Sequence, residues 1–99
     1  MTIKKMLKNE NNLLTNKRMY DIIKNVKEVI AQLTNNDIVE IDNASSLFVE
    51  LNINKEDFKR IIKKINQRFN ISLDYQDLAP KVETVFRLAE EILDETELG

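Results

Sequence analysis

Residues 54–73 read NKEDFKRIIKKINQRFNISL. Phe58, Ile61, Ile62, Ile65 and Phe69 recur every three or four residues. On a helix of 3.6 residues per turn that spacing makes one apolar stripe. Lys59, Arg60, Lys63, Lys64 and Arg68 fill the other faces. Asn54 is a good N-cap, because its side-chain oxygen can accept from a free amide of the first turn. Asp57, three residues on, resembles a capping box with Asp in place of Glu. Glu56 and Asp57 also suit the positive end of the helix dipole. The spacing predicts a helix over 55–68.

Upstream, Met19, Ile22, Ile23, Val26, Val29, Ile30 and Leu33 repeat in the same way. They predict a helix over 16–33, capped by Thr15 or Asn16 and ended by Thr34-Asn35-Asn36. Before it, Ile3, Met6 and Leu7 have helical spacing, but Asn9, Asn11 and Asn12 interrupt it. Residues 1–18 therefore read as an N-terminal extension, disordered or a short helix. Downstream, residues 73–78 read as a short helix closed by Pro80, with Ala79 pushed out of the helical region because it precedes proline. Thr84 caps a last helix over 84–94, with Val85, Leu88, Ala89, Ile92 and Leu93 inward. Carboxylates from Glu90 to Glu97 sit badly with the negative end of that helix, so residues 95–99 are expected to fray.

The connection over 37–53 is long and not polar: it holds Ile38, Val39, Ile41, Leu47, Phe48, Val49, Leu51 and Ile53. Such loops are either functional or packed down by their own side chains. Residues 45–51 suit a short turn that tucks Leu47, Phe48 and Leu51 inward. The only glycine is Gly99, so tight hairpins lack their usual residue; Asn fills positive-φ positions less well. The expectation is all-α: three longer helices, one short helix and a long loop after the first, in one domain over 19–94.

The chain has 99 residues, 42% hydrophobic and 32% charged, enough for one core. It has no Cys and no His, which removes thiolate chemistry, disulfides, Ser-His triads and imidazole metal sites. Without an internal Gly there is no glycine-rich phosphate loop. The composition points to a binding or carrier module rather than an enzyme. Short apolar runs exclude a membrane-spanning segment or a signal peptide, and a cytoplasmic location is expected. The net charge of −2 is uneven: residues 1–18 carry a net +4 and the remainder a net −6. Asymmetry of this kind often marks a tail or an interaction face.

Over Met19 to Leu93 the chain resembles an acyl or peptidyl carrier protein. Val26-Lys27-Glu28-Val29-Ile30 with Leu33 is similar to that family's first helix. Asp42-Asn43-Ala44-Ser45 followed by Phe48-Val49-Glu50-Leu51 resembles the segment before its modification site. Phe69-Asn70-Ile71-Ser72-Leu73 resembles the F-G-I-x-L that closes the second helix, and Val82-Glu83-Thr84-Val85 the start of the fourth. The resemblance implies a four-helix carrier-protein-like bundle.

In that family a transferase attaches 4'-phosphopantetheine to a Ser at the start of the second helix, in a pattern like L-G-x-D-S-L. A phosphodiester is favoured there by free amides and the helix dipole. Carried across from Leu51, the pattern puts Asn52 at the Gly, Asn54 at the Asp and Lys55 at the Ser. Lys55 lies fourteen residues before Phe69, as the pattern requires without a gap. An amine is not the normal acceptor of the arm. The resemblance therefore implies a carrier-like module with a degenerate attachment site, no cofactor, and action by protein contacts in a biosynthetic system. The expected contacts are Asn54, Lys55, Lys59, Arg60 and Lys63. The alternative acceptor is Ser46, in Ser45-Ser46-Leu47, which would make a working carrier; it needs about nine inserted residues and puts Asn52 and Asn54, both poor helix formers, inside the second helix.

That helix is commonly acidic in the family, whereas here residues 55–69 carry a net +4, which reverses the choice of partner. A lysine-rich face is otherwise simply solvated. A basic helix also suits phosphate contacts with nucleic acid, but Phe58 and Phe69 fall on the apolar stripe and cannot stack on bases. Asp37, Glu40 and Asp42 lack a calcium-loop pattern and read as solvated carboxylates, so no metal site is expected. Lys4, Lys5, Met6, Leu7 and Lys8 are mildly amphipathic and suit weak contact with a membrane surface or a partner groove. Tyr20 and Tyr75 read as partly buried, with no catalytic neighbour pattern.

Overall fold

The computed structural model describes the backbone of residues 2–98 and the side chains of residues 17–97. Helix α1 spans Thr2–Leu33, α2 Lys55–Phe69, α3 Tyr75–Leu78 and α4 Val85–Leu98, with a 3-10 turn over Ile38–Glu40. No strand forms among the described residues; an isolated bridge pairs Ser46 with Thr84. The architecture is a small all-α bundle of three longer helices and one short one, with a long connection after the first.

The apolar stripes face one another. Ile22, Ile23, Val26, Val29 and Ile30 of α1 are buried against Phe58, Ile61, Ile62 and Ile65 of α2 and Val85, Leu88, Ala89, Ile92 and Leu93 of α4 in one core. Apart from Ala89, each such side chain is worth roughly 1.5–3 kcal/mol on full burial. The charged pairs around the rim, such as Arg68–Glu28 at 3.0 Å, are worth about 0–1 kcal/mol each. Burial, not ion pairing, therefore sets how the helices meet.

Helix α1 starts at Thr2 rather than near Asn16. An Asn costs only about 0.5 kcal/mol in a helix interior, and extending an existing helix avoids a new nucleation step. The amphipathic cluster from Lys4 to Lys8 lies outside the described side chains. At the other end, the Thr34 amide and hydroxyl both donate to the Ile30 carbonyl, at 2.9 and 2.7 Å. The Asn36 side-chain amide then donates to the Leu51 carbonyl at 2.9 Å, tying the end of α1 to the far end of the loop.

The loop is packed down. Ile41, Leu47, Leu51 and Ile53 are all buried in the core. Ser45, a buried polar residue, accepts from the Asp42 amide at its Oγ, 2.9 Å away. The Leu47 amide donates to the Glu83 carbonyl at 2.8 Å, and the Phe86 amide to the Asn43 carbonyl at 2.8 Å. Phe48 departs from the expected inward position: it is 37% exposed and lies edge-on to Phe58 at 5.2 Å. Leu47 and Leu51 already fill the space beneath the turn, which leaves Phe48 at its rim. Tyr20 departs further, at 70% exposed, while Tyr75 is partly buried as expected.

Two boundaries differ near the C-terminus. Ala79 stays in the right-handed helical region, at φ −52° and ψ −43°. The residue before proline disfavours that region but is not barred from it. Here the Ala79 amide reaches the Tyr75 carbonyl at 2.9 Å, and those of Lys81 and Val82 reach the Leu78 carbonyl, burying Leu78 and Val82. Helix α4 continues to Leu98 instead of fraying after Asp94. Its carboxylates have cations to meet: Arg87 and Lys81 contact Glu91 at 2.9 and 3.0 Å, and Arg18 of α1 lies 3.5 Å from Glu97.

Candidate functional site

Helix α2 opens on a cap. Asn54 Oδ1 accepts from the Asp57 amide at 2.8 Å. The capping box expected from Asp57 does not close; its Oδ1 lies 3.3 Å from Arg60 Nη1 instead. The carboxyl of Asp is one carbon shorter than that of Glu and turns toward the guanidinium one helical turn along. Lys55 is the first residue of α2 and is exposed.

The five expected contact residues fall on the solvent side of α2. Asn54, Lys55, Lys59, Arg60 and Lys63 are all exposed. Lys55, Lys59 and Lys63 are spaced by four and form a ridge along the helix. The Lys59 ammonium lies 5.3 Å from the centre of the Tyr75 ring, a cation–π distance. Lys63 borders two depressions. One, of about 620 Å³, runs between α2 and residues 70–75 and is floored by Ile62, Ile71, Leu73 and Tyr75. The other, of about 240 Å³, is lined by Leu33, Arg60, Lys63, Lys64 and Gln67. Arg60 and Arg68 pair with carboxylates, whereas Lys55, Lys59, Lys63 and Lys64 have no ion-pair partner among the described residues.

The chain turns sharply at each end of α2. Asn52 has φ 53° and Asn70 φ 55°, both in the left-handed region, where glycine is the usual residue. Asn52 sits where the chain folds back on the preceding turn: the Leu51 amide donates to the Ser46 carbonyl and the Ile53 amide to the Leu47 carbonyl, each at 3.0 Å. Asn70 ends α2, with the amides of Asn70 and Ile71 both reaching the Asn66 carbonyl. These two asparagines stand where the carrier pattern has its two glycines.

Ser46, the alternative acceptor, lies nine residues before α2 in a separate turn. Its Oγ accepts from the Val49 amide at 3.2 Å, and its own amide donates to Glu50 Oε1 at 3.1 Å. Asn52 and Asn54 lie ahead of α2, not inside it. The positive end of α2 is at Lys55.

Asn66 and Tyr75 matter to this face, and sequence periodicity does not reveal why. Asn66 accepts from the Leu73 amide at 2.8 Å and donates to the Leu73 carbonyl at 3.0 Å, holding the extended segment that floors the groove. Its position at the edge of the stripe is the one available signal. Asp37 caps the 3-10 turn by accepting from the Val39 amide at 3.2 Å. No group of three or more acidic side chains among the described residues could hold a metal ion. No described helix is long and apolar enough to cross a membrane. Compared with protein-family models and with curated proteins, the chain finds no match.

Proposed function

We propose that this chain is a carrier-protein-like helical module of the cytoplasm that does not take a phosphopantetheine arm and acts by protein contacts. Its partner docks on the start and outer face of α2, through Asn54, Lys55, Lys59, Arg60 and Lys63. One observation carries the reading. Lys55 is the first residue of α2, between two left-handed asparagines that stand at the glycines of the carrier pattern. The helix end that favours a phosphodiester thus presents an ammonium, which does not serve as the acceptor hydroxyl.

The test is direct. The protein is incubated with coenzyme A and a broad-specificity phosphopantetheinyl transferase, and the intact mass is measured. No gain is expected. A gain of one arm overturns the reading, and its loss in Ser46→Ala would assign a working carrier loaded at Ser46.

A further inference from the structure

Four lysines of α2 lie on its solvent side, and none pairs with a carboxylate among the described residues. Lys55, Lys59 and Lys63 are one turn apart, about 6 Å from one to the next along the helix axis. Beside them runs the groove of about 620 Å³, floored by Ile62, Ile71, Leu73 and Tyr75. Phe48 and Tyr75 both pack edge-on against Phe58, at 5.2 and 5.7 Å, so the aromatic edge continues past the start of α2. Val49, next to Phe48, is 81% exposed. Charge and apolar surface thus lie side by side along α2, with Lys59 and Lys63 themselves lining the shallow groove.

We infer that this double strip docks an acidic amphipathic helix of a protein partner. Carboxylates spaced by four along one edge of such a helix meet Lys55, Lys59 and Lys63 in register. Apolar side chains on its adjacent face enter the groove over Ile71 and Leu73, beside the edge of Tyr75. Nucleic acid fits the same face poorly. Lys59 already covers the Tyr75 ring, Asp74 lines the groove, and Phe58 is 1% exposed, so among the described residues of this face only the rim of Phe48, 37% exposed, is left for a base. The molecule is also net acidic at −2, which disfavours approach of a polyanion without its own apolar anchor. The inference rests on the reading of α2 as a docking face, and adds the chemistry of what docks.

Fluorescence anisotropy of the full chain tests it. The probe is a labelled synthetic amphipathic peptide with Glu in i, i+4 spacing and Leu and Phe on the adjacent face. Controls are a scrambled peptide of the same composition and a labelled single-stranded DNA oligonucleotide. The amphipathic peptide is expected to bind best and to weaken as salt rises. Lys59→Glu and Lys63→Glu should each weaken it by about tenfold or more, while Lys24→Glu, an exposed lysine of α1, should not. Circular dichroism of each variant confirms the helical fold. Equal binding of the scrambled peptide, tighter binding of the DNA, or insensitivity to both α2 substitutions overturns the inference. None of these outcomes changes the mass measurement, so failure here is separable from failure of the carrier-like reading.

Discussion

Asn70 shows how much a single backbone position asks of a residue. At φ 55° an ordinary L-residue pays for the approach of its Cβ to the following carbonyl, a cost that Asn bears better than most and Gly escapes. Asn70→Ala is expected to destabilise the protein by about 1 kcal/mol, and Asn70→Gly to be neutral or slightly stabilising. Urea denaturation of the three proteins checks it; equal losses for Ala and Gly would mean that the asparagine side chain, not the backbone angle, matters there. The residue types were legible in the sequence, since Asn is the next choice for positive φ when Gly is missing. Which of the twelve asparagines would take that conformation was not, because φ is fixed by what the flanking residues bond to. The amides of Leu51 and Ile53 close onto the Ser46 and Leu47 carbonyls on either side of Asn52, and those bonds exist only in the folded loop.

At the scale of the element, α2 is the part of the fold most fully readable in advance. Its cap at Asn54, its stripe of Phe58, Ile61, Ile62 and Ile65, and its charged outer face are all local properties. Ile62→Ala should cost ~2–5 kcal/mol, because it removes buried methyl groups and leaves a cavity. Lys63→Ala, on the exposed side, should change stability by less than about 0.5 kcal/mol. Similar small losses for both in a denaturation series would mean that the stripe is not buried as described. The ends of α1 and α4 were less legible. Both helices run further than their side-chain patterns suggest; for α4, Glu97 reaches Arg18 only once α4 lies along α1. Dipole arguments applied to an isolated helix see no such cation.

For the whole molecule, the long connection decides how rigidly the candidate face is held. Its buried Ile41, Leu47, Leu51 and Ile53 join the helical stripes in one core, and its backbone is bonded to the segment that starts α4. The amides of Leu47 and Phe86, each bonded at 2.8 Å across that junction, should therefore exchange hydrogen only through global or near-global opening. Native-state exchange measures this; fast exchange at both amides would show that the loop opens by itself. A pinned loop carries Phe48 to the edge of Phe58 and so completes the apolar strip beside the lysines. The composition of residues 37–53 showed that this segment was apolar, but not where it would dock.

By itself the sequence determined the class of the fold: three long apolar stripes of helical period, their caps, and the want of internal glycine leave little but an all-α bundle. It also determined that a lysine, not a serine, opens α2. Only the tertiary structure decided that Tyr75 lies under Lys59, that Asn66 clamps Leu73 to floor a groove, and that Ser46 sits in a turn bridged to Thr84. The physical reason is range. Period, capping and propensity act over one or two helical turns and are written in neighbouring residues, whereas these contacts join distant segments and exist only once burial has brought them together.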